Sequence, residues 1–81
     1  EMSIPNYDSL DDIERELIDW QYGRCGDFRK ALWEAICRAD DDNLERLKLG
    51  FPFQVEGYIR YTRVSGYWSK VQEKAGVMIG G

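Results

Sequence analysis

The stretch from Gly26 to Tyr61, GDFRKALWEAICRADDDNLERLKLGFPFQVEGYIRY, packs three helix starts and two helix stops into thirty-six residues. Punctuation this dense leaves little room for long loops or paired strands. Gly26 and Asp27 open a helix, with Asp27 as N-cap, because a carboxylate there accepts from an otherwise unpaired backbone N–H. Phe28, Ala31, Leu32, Ala35, Ile36 and Ala39 then recur at i, i+3, i+4, i+7, i+8 and i+11, the strongest helical periodicity in the chain. Trp33 and Cys37 widen that stripe, and its alanines would let a neighbouring helix approach closely. This helix, spanning 27–39, is expected at the centre of the core.

The remaining signals extend the pattern in both directions. Asp40-Asp41-Asp42, with Glu45 three residues beyond Asp42, reads as the cap of a third helix. Leu44, Leu47 and Leu49 would point inward from it, and Gly50 would stop it. Phe51-Pro52 restarts the chain, since proline suits a first helical turn and pushes its predecessor out of the α region. Val55, Tyr58, Ile59 and Thr62 form the buried side of that fourth helix, which Ser65-Gly66 breaks. A fifth, Tyr67 to Ala75, groups Trp68, Val71 and Ala75 and ends at Gly76. Upstream, residues 1–8 read as an extended lead-in, followed by Ser9 as N-cap with Asp12 at N3. Leu10, Ile13, Leu17 and Trp20 form the inner stripe of the first helix, with Asp12, Glu16 and Asp19 opposite and Gly23 as the stop. The tail Val77–Gly81 is apolar and either folds back or frays. The expected fold is all-α: one domain over 1–81, a compact bundle of about five short helices with short connections.

The charge distribution limits the partners. The net charge of −4 conceals seven acids against Arg15 in residues 1–19, a local −6, and +2 over the remainder. Nucleic acid and anionic membranes select clustered Lys and Arg, so an acidic head on a mildly basic body argues against general binding to either. A solvated first helix is the simpler account of those acids. No apolar run approaches the roughly 18 residues of a membrane span, and no signal peptide is expected. Cys25 and Cys37 are expected as free thiols in a reducing cytoplasm: a helix from Asp27 sets Cys37 about 15 Å along its axis, beyond the roughly 7 Å limit for a bridge.

The residue inventory also restricts the chemistry. There is no histidine, which removes the commonest base near neutral pH, the Ser–His and Cys–His nucleophile pairs and most zinc sites. Gly23-x-x-Gly26 lacks the Lys-Ser/Thr of a phosphate loop. The consecutive acids at 40–42 lack the alternation and central glycine of a calcium loop, and capping explains them more simply. The ending Gly80-Gly81 invites comparison with ubiquitin-like carriers, but the strands of that sheet fold are missing. An enzyme is not expected, nor are catalytic, cofactor-binding or metal-binding residues. Cys25, in a turn beside Arg24, is the more reactive thiol expected; Cys37 is expected small and buried.

The residues Gly26, Phe28, Ala31, Leu32, Glu34, Ala35, Ile36, Ala39 and Asp40, then Asn43, Leu47, Gly50, Phe51, Pro52, Val55, Glu56 and Tyr58, form a pattern over about half the chain. It resembles a set of small proteins encoded by bacteriophages and prophages. Members of that set commonly carry a non-aromatic pair after the proline, where this chain has Phe53-Gln54. The resemblance implies a small protein of the host bacterial cytoplasm that acts by binding, altering a host machine or blocking a defence nuclease. It implies no catalytic residues.

Three functions compete. The first is a protein-binding accessory factor, with inhibition of a host defence system as one form. It would dock a basic patch through Asp12, Glu16 and Asp19, together with Asp40, Asp41 and Asp42. The second is nucleic-acid binding through Arg60, Tyr61, Arg63, Tyr67, Lys70 and Lys74, because arginines beside rings can stack single-stranded bases. The third is a structural or assembly component that self-associates through rings of the fourth and fifth helices. The chain is accordingly expected as a monomer or homodimer.

Overall fold

A computed structural model describes residues 4–77 and shows an all-α bundle of five helices. They are α1 (Asp12–Gln21), α2 (Asp27–Arg38), α3 (Asp41–Gly50), α4 (Pro52–Arg63) and α5 (Tyr67–Ala75), preceded by a 3-10 turn, Tyr7–Ser9. The stops at Gly23, Gly66 and Gly76 all adopt positive φ. The expected behaviour of 1–3 and 78–81 lies outside the described residues.

Three N-termini differ from the sequence expectation. α1 is capped by Asp11, not Ser9: its carboxylate accepts from Glu14 N at 2.8 Å, while Glu14 Oε1 accepts from Asp11 N at 2.8 Å. Ser9 is consumed by the 3-10 turn, its N–H donating to Asn6 O. α2 begins at Asp27 with Gly26 as N-cap and no side-chain cap bond, so Asp27 sits inside the first turn. α3 is capped by Asp40, which accepts from Asn43 N at 2.9 Å, placing Asp41 and Asp42 in the dipole-favoured first turn. Phe51 is the sole residue between α3 and α4. Its N–H donates to Leu47 O at 2.8 Å, its carbonyl accepts from Val55 N at 3.2 Å, and Pro52 opens α4 without an N–H to satisfy.

The core centres on α4 rather than α2. α4 packs against each of the other four helices. Its Gly57 is buried, and a Cβ there would lie 3.3 Å from Leu17 Cγ, 3.4 Å from Ile13 Cγ2 and 3.6 Å from Trp33 Cη2. Trp33, fully buried, stacks on Trp20 with centroids 4.3 Å apart, and Leu17, Leu32, Ile36, Leu44 and Val55 complete this cluster. A second cluster joins Ile4, Leu10, Ile18, Val71 and Ala75, with Tyr7, Tyr22 and Val77 against it. α1 therefore buries Leu17 on one side and Ile18 on another. The lead-in is not free: Asn6 N donates to Ala75 O at 3.0 Å, and a Cβ on Gly76 would meet Asn6 Nδ2 at 2.8 Å.

The rotation of α2 is the main departure from expectation. Leu32, Trp33 and Ile36 are buried, but Phe28 is 69% exposed and Ala31, Ala35 and Cys37 are exposed as well. An indole ring removes far more apolar area from water than two alanine methyls, so Trp33 sets the phase. Leu49, 88% exposed, and Thr62 also point outward, because α3 and α4 bury Leu44 and Val55 instead.

Gly57→Val is expected to lower stability by about 1–3 kcal/mol, the usual range for overpacking, or roughly 5–20 °C in Tm for a domain this small. Thermal melts followed by circular dichroism measure it, and an unchanged Tm would contradict the close approach of α1 and α4.

Candidate functional site

The acids of α1 bind the molecule to itself. Glu14 Oε1 lies 2.8 Å from Lys74 Nζ on α5, and this contact raises the lysine pKa. Glu16 Oε2 lies 3.3 Å from Arg29 Nη2 on α2, while Glu16 Oε1 is buried with no hydrogen-bond partner among the described residues. Asp19 is buried; its Oδ2 accepts from the Tyr7 hydroxyl at 2.7 Å, and its Oδ1 lies 3.4 Å from Arg24 Nε. The expected solvated face of Asp12, Glu16 and Asp19 is thus mostly covered, because the lead-in, α5 and the start of α2 all close over α1. Asp12 alone of the three stays exposed. Asp40 is engaged as a cap, Asp41 lies 3.7 Å from Arg63 Nη2 and is 94% exposed at its side chain, and Asp42 is exposed. The six acids therefore divide between α1 and the N-terminal turn of α3, and only Asp12, Asp41 and Asp42 present open carboxylates.

Tyr7 is held from three sides. Arg24 Cζ lies 4.9 Å and Arg15 Cζ 5.3 Å from its ring centroid, and Arg15 also donates to Tyr7 O and Asp8 O. Burial and the hydrogen bond to Asp19 push its phenol pKa up, against the lowering effect of the two guanidiniums.

Several of the groups expected to hold nucleic acid are engaged within the fold. Arg60 Nε donates to Glu56 Oε2 at 2.9 Å, its guanidinium lying 5.9 Å from the Tyr67 ring centroid. Tyr61 wedges edge-on against Trp20 and Trp68, each at 5.6 Å between centroids. The Tyr67 hydroxyl is buried beside Arg60, and burial raises its pKa against the lowering effect of that guanidinium. Arg63 leans toward Asp41 and Lys74 toward Glu14. Lys70 is exposed, but without free rings beside it the set forms no stacking platform.

What stays open lies on α2 and α3. α3 docks on α4, and a groove of about 410 Å³ runs along Ala35, Arg38, Ala39, Asn43, Arg46 and Leu47. Its floor is small and apolar, and it carries two arginines that make no ion pair among the described residues. Beyond it on the same helix, Ala31 and Phe28 continue the apolar face, with the Phe28 ring 6.1 Å from that of Phe51. The sequence does mark these residues, as the strongest stripe in the chain. It does not show that Phe28, Ala31 and Ala35 stay uncovered while Leu32 and Ile36 are buried.

A second cavity, of about 370 Å³, is lined by Trp20, Gly23, Cys25, Asp27, Lys30 and Glu34. Both cysteines are free, Cys25 half-buried and Cys37 exposed rather than buried as expected. Partial burial and then Glu34 raise the Cys37 pKa, which keeps the thiol protonated near neutral pH. Among the described residues no His, Cys, Asp or Glu cluster has the form of a metal site, and no helix is long and apolar enough to cross a membrane.

No family model, curated protein or solved structure matches the chain.

Tyr7→Phe removes a hydrogen bond to a charged acceptor and is expected to cost about 1.5–3 kcal/mol at neutral pH. The folded-state pKa of Tyr7 is raised above its ordinary 10.0, so its contribution is complete below that value and fades as pH rises through the folded pKa. Urea unfolding from pH 7 to 11 should show an alkaline loss of stability that is smaller in Tyr7→Phe; identical slopes would contradict the Tyr7–Asp19 bond.

Proposed function

We propose that the chain is a non-enzymatic protein-binding accessory protein, and that its partner enters the groove between α2 and α3. One observation carries this reading: one edge of the most strongly patterned apolar stripe, Phe28, Ala31 and Ala35, stays exposed while Leu32 and Ile36 are buried, and it runs beside Arg38 and Arg46. An exposed phenylalanine and alanines on a helix suit close packing by another helix. The arginines favour carboxylates around whatever apolar side chain fills the groove. The complementary ligand is therefore a helical segment with a bulky apolar residue flanked by Asp or Glu.

The earlier docking idea, an acidic face seeking a basic target, retains only Asp12, Asp41 and Asp42 as open groups. Charge reversal at Glu16 would now test folding, since that side chain is 12% exposed and pairs with Arg29. The pattern shared with small phage-encoded proteins supports a bacterial host as the setting. Within it, occlusion of a host defence protein is one form that such binding would take.

A labelled helical peptide with a central Phe flanked by Glu is expected to bind with a Kd in the tens of micromolar, more weakly as salt is raised. Arg38→Glu with Arg46→Glu should reduce that affinity at least about tenfold, while a single-stranded oligonucleotide at the same low salt should not bind. Equal affinity for wild type and the double variant, or oligonucleotide binding instead, would defeat the reading.

A further inference from the structure

We propose that a second copy of this chain supplies the ligand: Phe28 of each protomer fills the α2–α3 groove of the other, in a two-fold pair built on antiparallel α2 helices. This inference rests on the protein-binding reading of the same groove.

α2 carries both the candidate ligand and one wall of the groove. Phe28 is 69% exposed and directly follows Asp27 in the first turn of α2, which makes it an apolar side chain flanked by a carboxylate. The groove that asks for such a group lies at the other end of α2, at Ala35, Arg38 and Ala39. These positions are symmetric about the level of residue 33. Positions 27 and 39, 28 and 38, and 31 and 35 lie equally far from it. A two-fold axis crossing α2 there sets Ala31 opposite Ala35 and Phe28 opposite Arg38 and Ala39, twice over, as an isologous contact requires.

The charges agree with the same axis. At about 100° per residue, Asp27 and Arg38 fall within about 20° of each other on the helical wheel, on one edge of α2. A two-fold axis perpendicular to two antiparallel helices keeps like edges together. Asp27 of each copy therefore meets Arg38 of the other, with Arg46 close by across the groove. With only alanines at the crossing, the axes can approach to about 8 Å, the close end of helix packing. Ten residues of rise hold the two phenyl rings about 15 Å apart along the helices, and a cavity of about 410 Å³ exceeds what one ring needs. A parallel two-fold would instead put the two Asp27 at one level and the two Arg38 at another, on opposite edges, so that no Asp27 meets an Arg38.

Sedimentation equilibrium of the full chain at low salt is expected to show a monomer–dimer equilibrium. Phe28→Ala should weaken it at least about tenfold. Asp27→Lys alone, and Arg38→Asp alone, should each be more monomeric than wild type. An equimolar mixture of those two variants should recover dimer, because each contact then joins opposite charges. Circular dichroism melts confirm that the variants fold, as all three positions are exposed. A wild-type chain that stays monomeric to about 1 mM, or a dimer indifferent to all three substitutions and to mixing, would overturn the proposal. A monomer that still binds the acidic peptide would leave the groove's function standing without the pair; a monomer that binds neither would remove both.

Discussion

α4 runs through the middle of the bundle because position 57 has no side chain. Leu17, Ile13 and Trp33 converge on the space that a Cβ would fill, so α1 and α2 both come close to the α4 backbone. Glycine inside a helix costs about 1 kcal/mol relative to alanine, and here the close packing of three helices offsets it. The ring of Trp33 lies in the resulting space, stacked on Trp20. That one ring sets the rotation of α2 about its axis. Everything on the opposite side of α2, Phe28, Ala31 and Ala35 included, is consequently turned outward. The open groove follows from how the core closes, on the far side of the same helix.

Electrostatics fix the position of α1 within that frame. The local charge of −6 in residues 1–19 reads in isolation as a surface, yet three of the acids reach three different neighbours: Glu14 reaches α5, Glu16 reaches α2 and Asp19 reaches the lead-in. Exposed ion pairs contribute little to stability. These carboxylates are each only 12% exposed, so stranding one leaves a charge poorly solvated, which is costly. Their contribution is to orientation: a rotated or slipped α1 would lose all three partners together. Arg24, Arg29 and Lys74 of the later chain are spent on the same contacts, which takes Lys74 out of the set that the nucleic-acid reading needs.

The helices and their ends were legible because capping and breaking are local effects. Pro52, Gly23, Gly66 and Gly76 act through their own backbone, and no tertiary contact needs to be known to place them. The caps slipped where two candidates competed: Ser9 against Asp11, and Asp42 against Asp40. In each case the carboxylate that could reach the N–H three residues on prevailed. The phase of α2 was not legible. Its apolar residues run around more than half the wheel, so periodicity alone leaves two directions open, and only the partner across the interface, Gly57, distinguishes them. The candidate site suffered the same fate in reverse. Its Ala35, Ala39 and Leu47 read in the sequence as core, whereas Glu16, Asp19 and Tyr61, which read as surface, are internal supports. Ile18 was missed because α1 is buried on two sides, and a second buried face needs a second covering element, here α5 with the lead-in.

The hydrogen bond from Asn6 to Ala75 makes the backbone nearly a closed ring in space. The exposed bend at Val64–Gly66 is as much a natural opening of that ring as the seam between Asn6 and Ala75. A circularly permuted chain, joined across the seam by a linker that leaves Ile4 and Val77 in their cluster and reopened at the bend, would keep every helix against its present neighbours. The order in which the ribosome delivers these five helices is therefore separable from the architecture they reach.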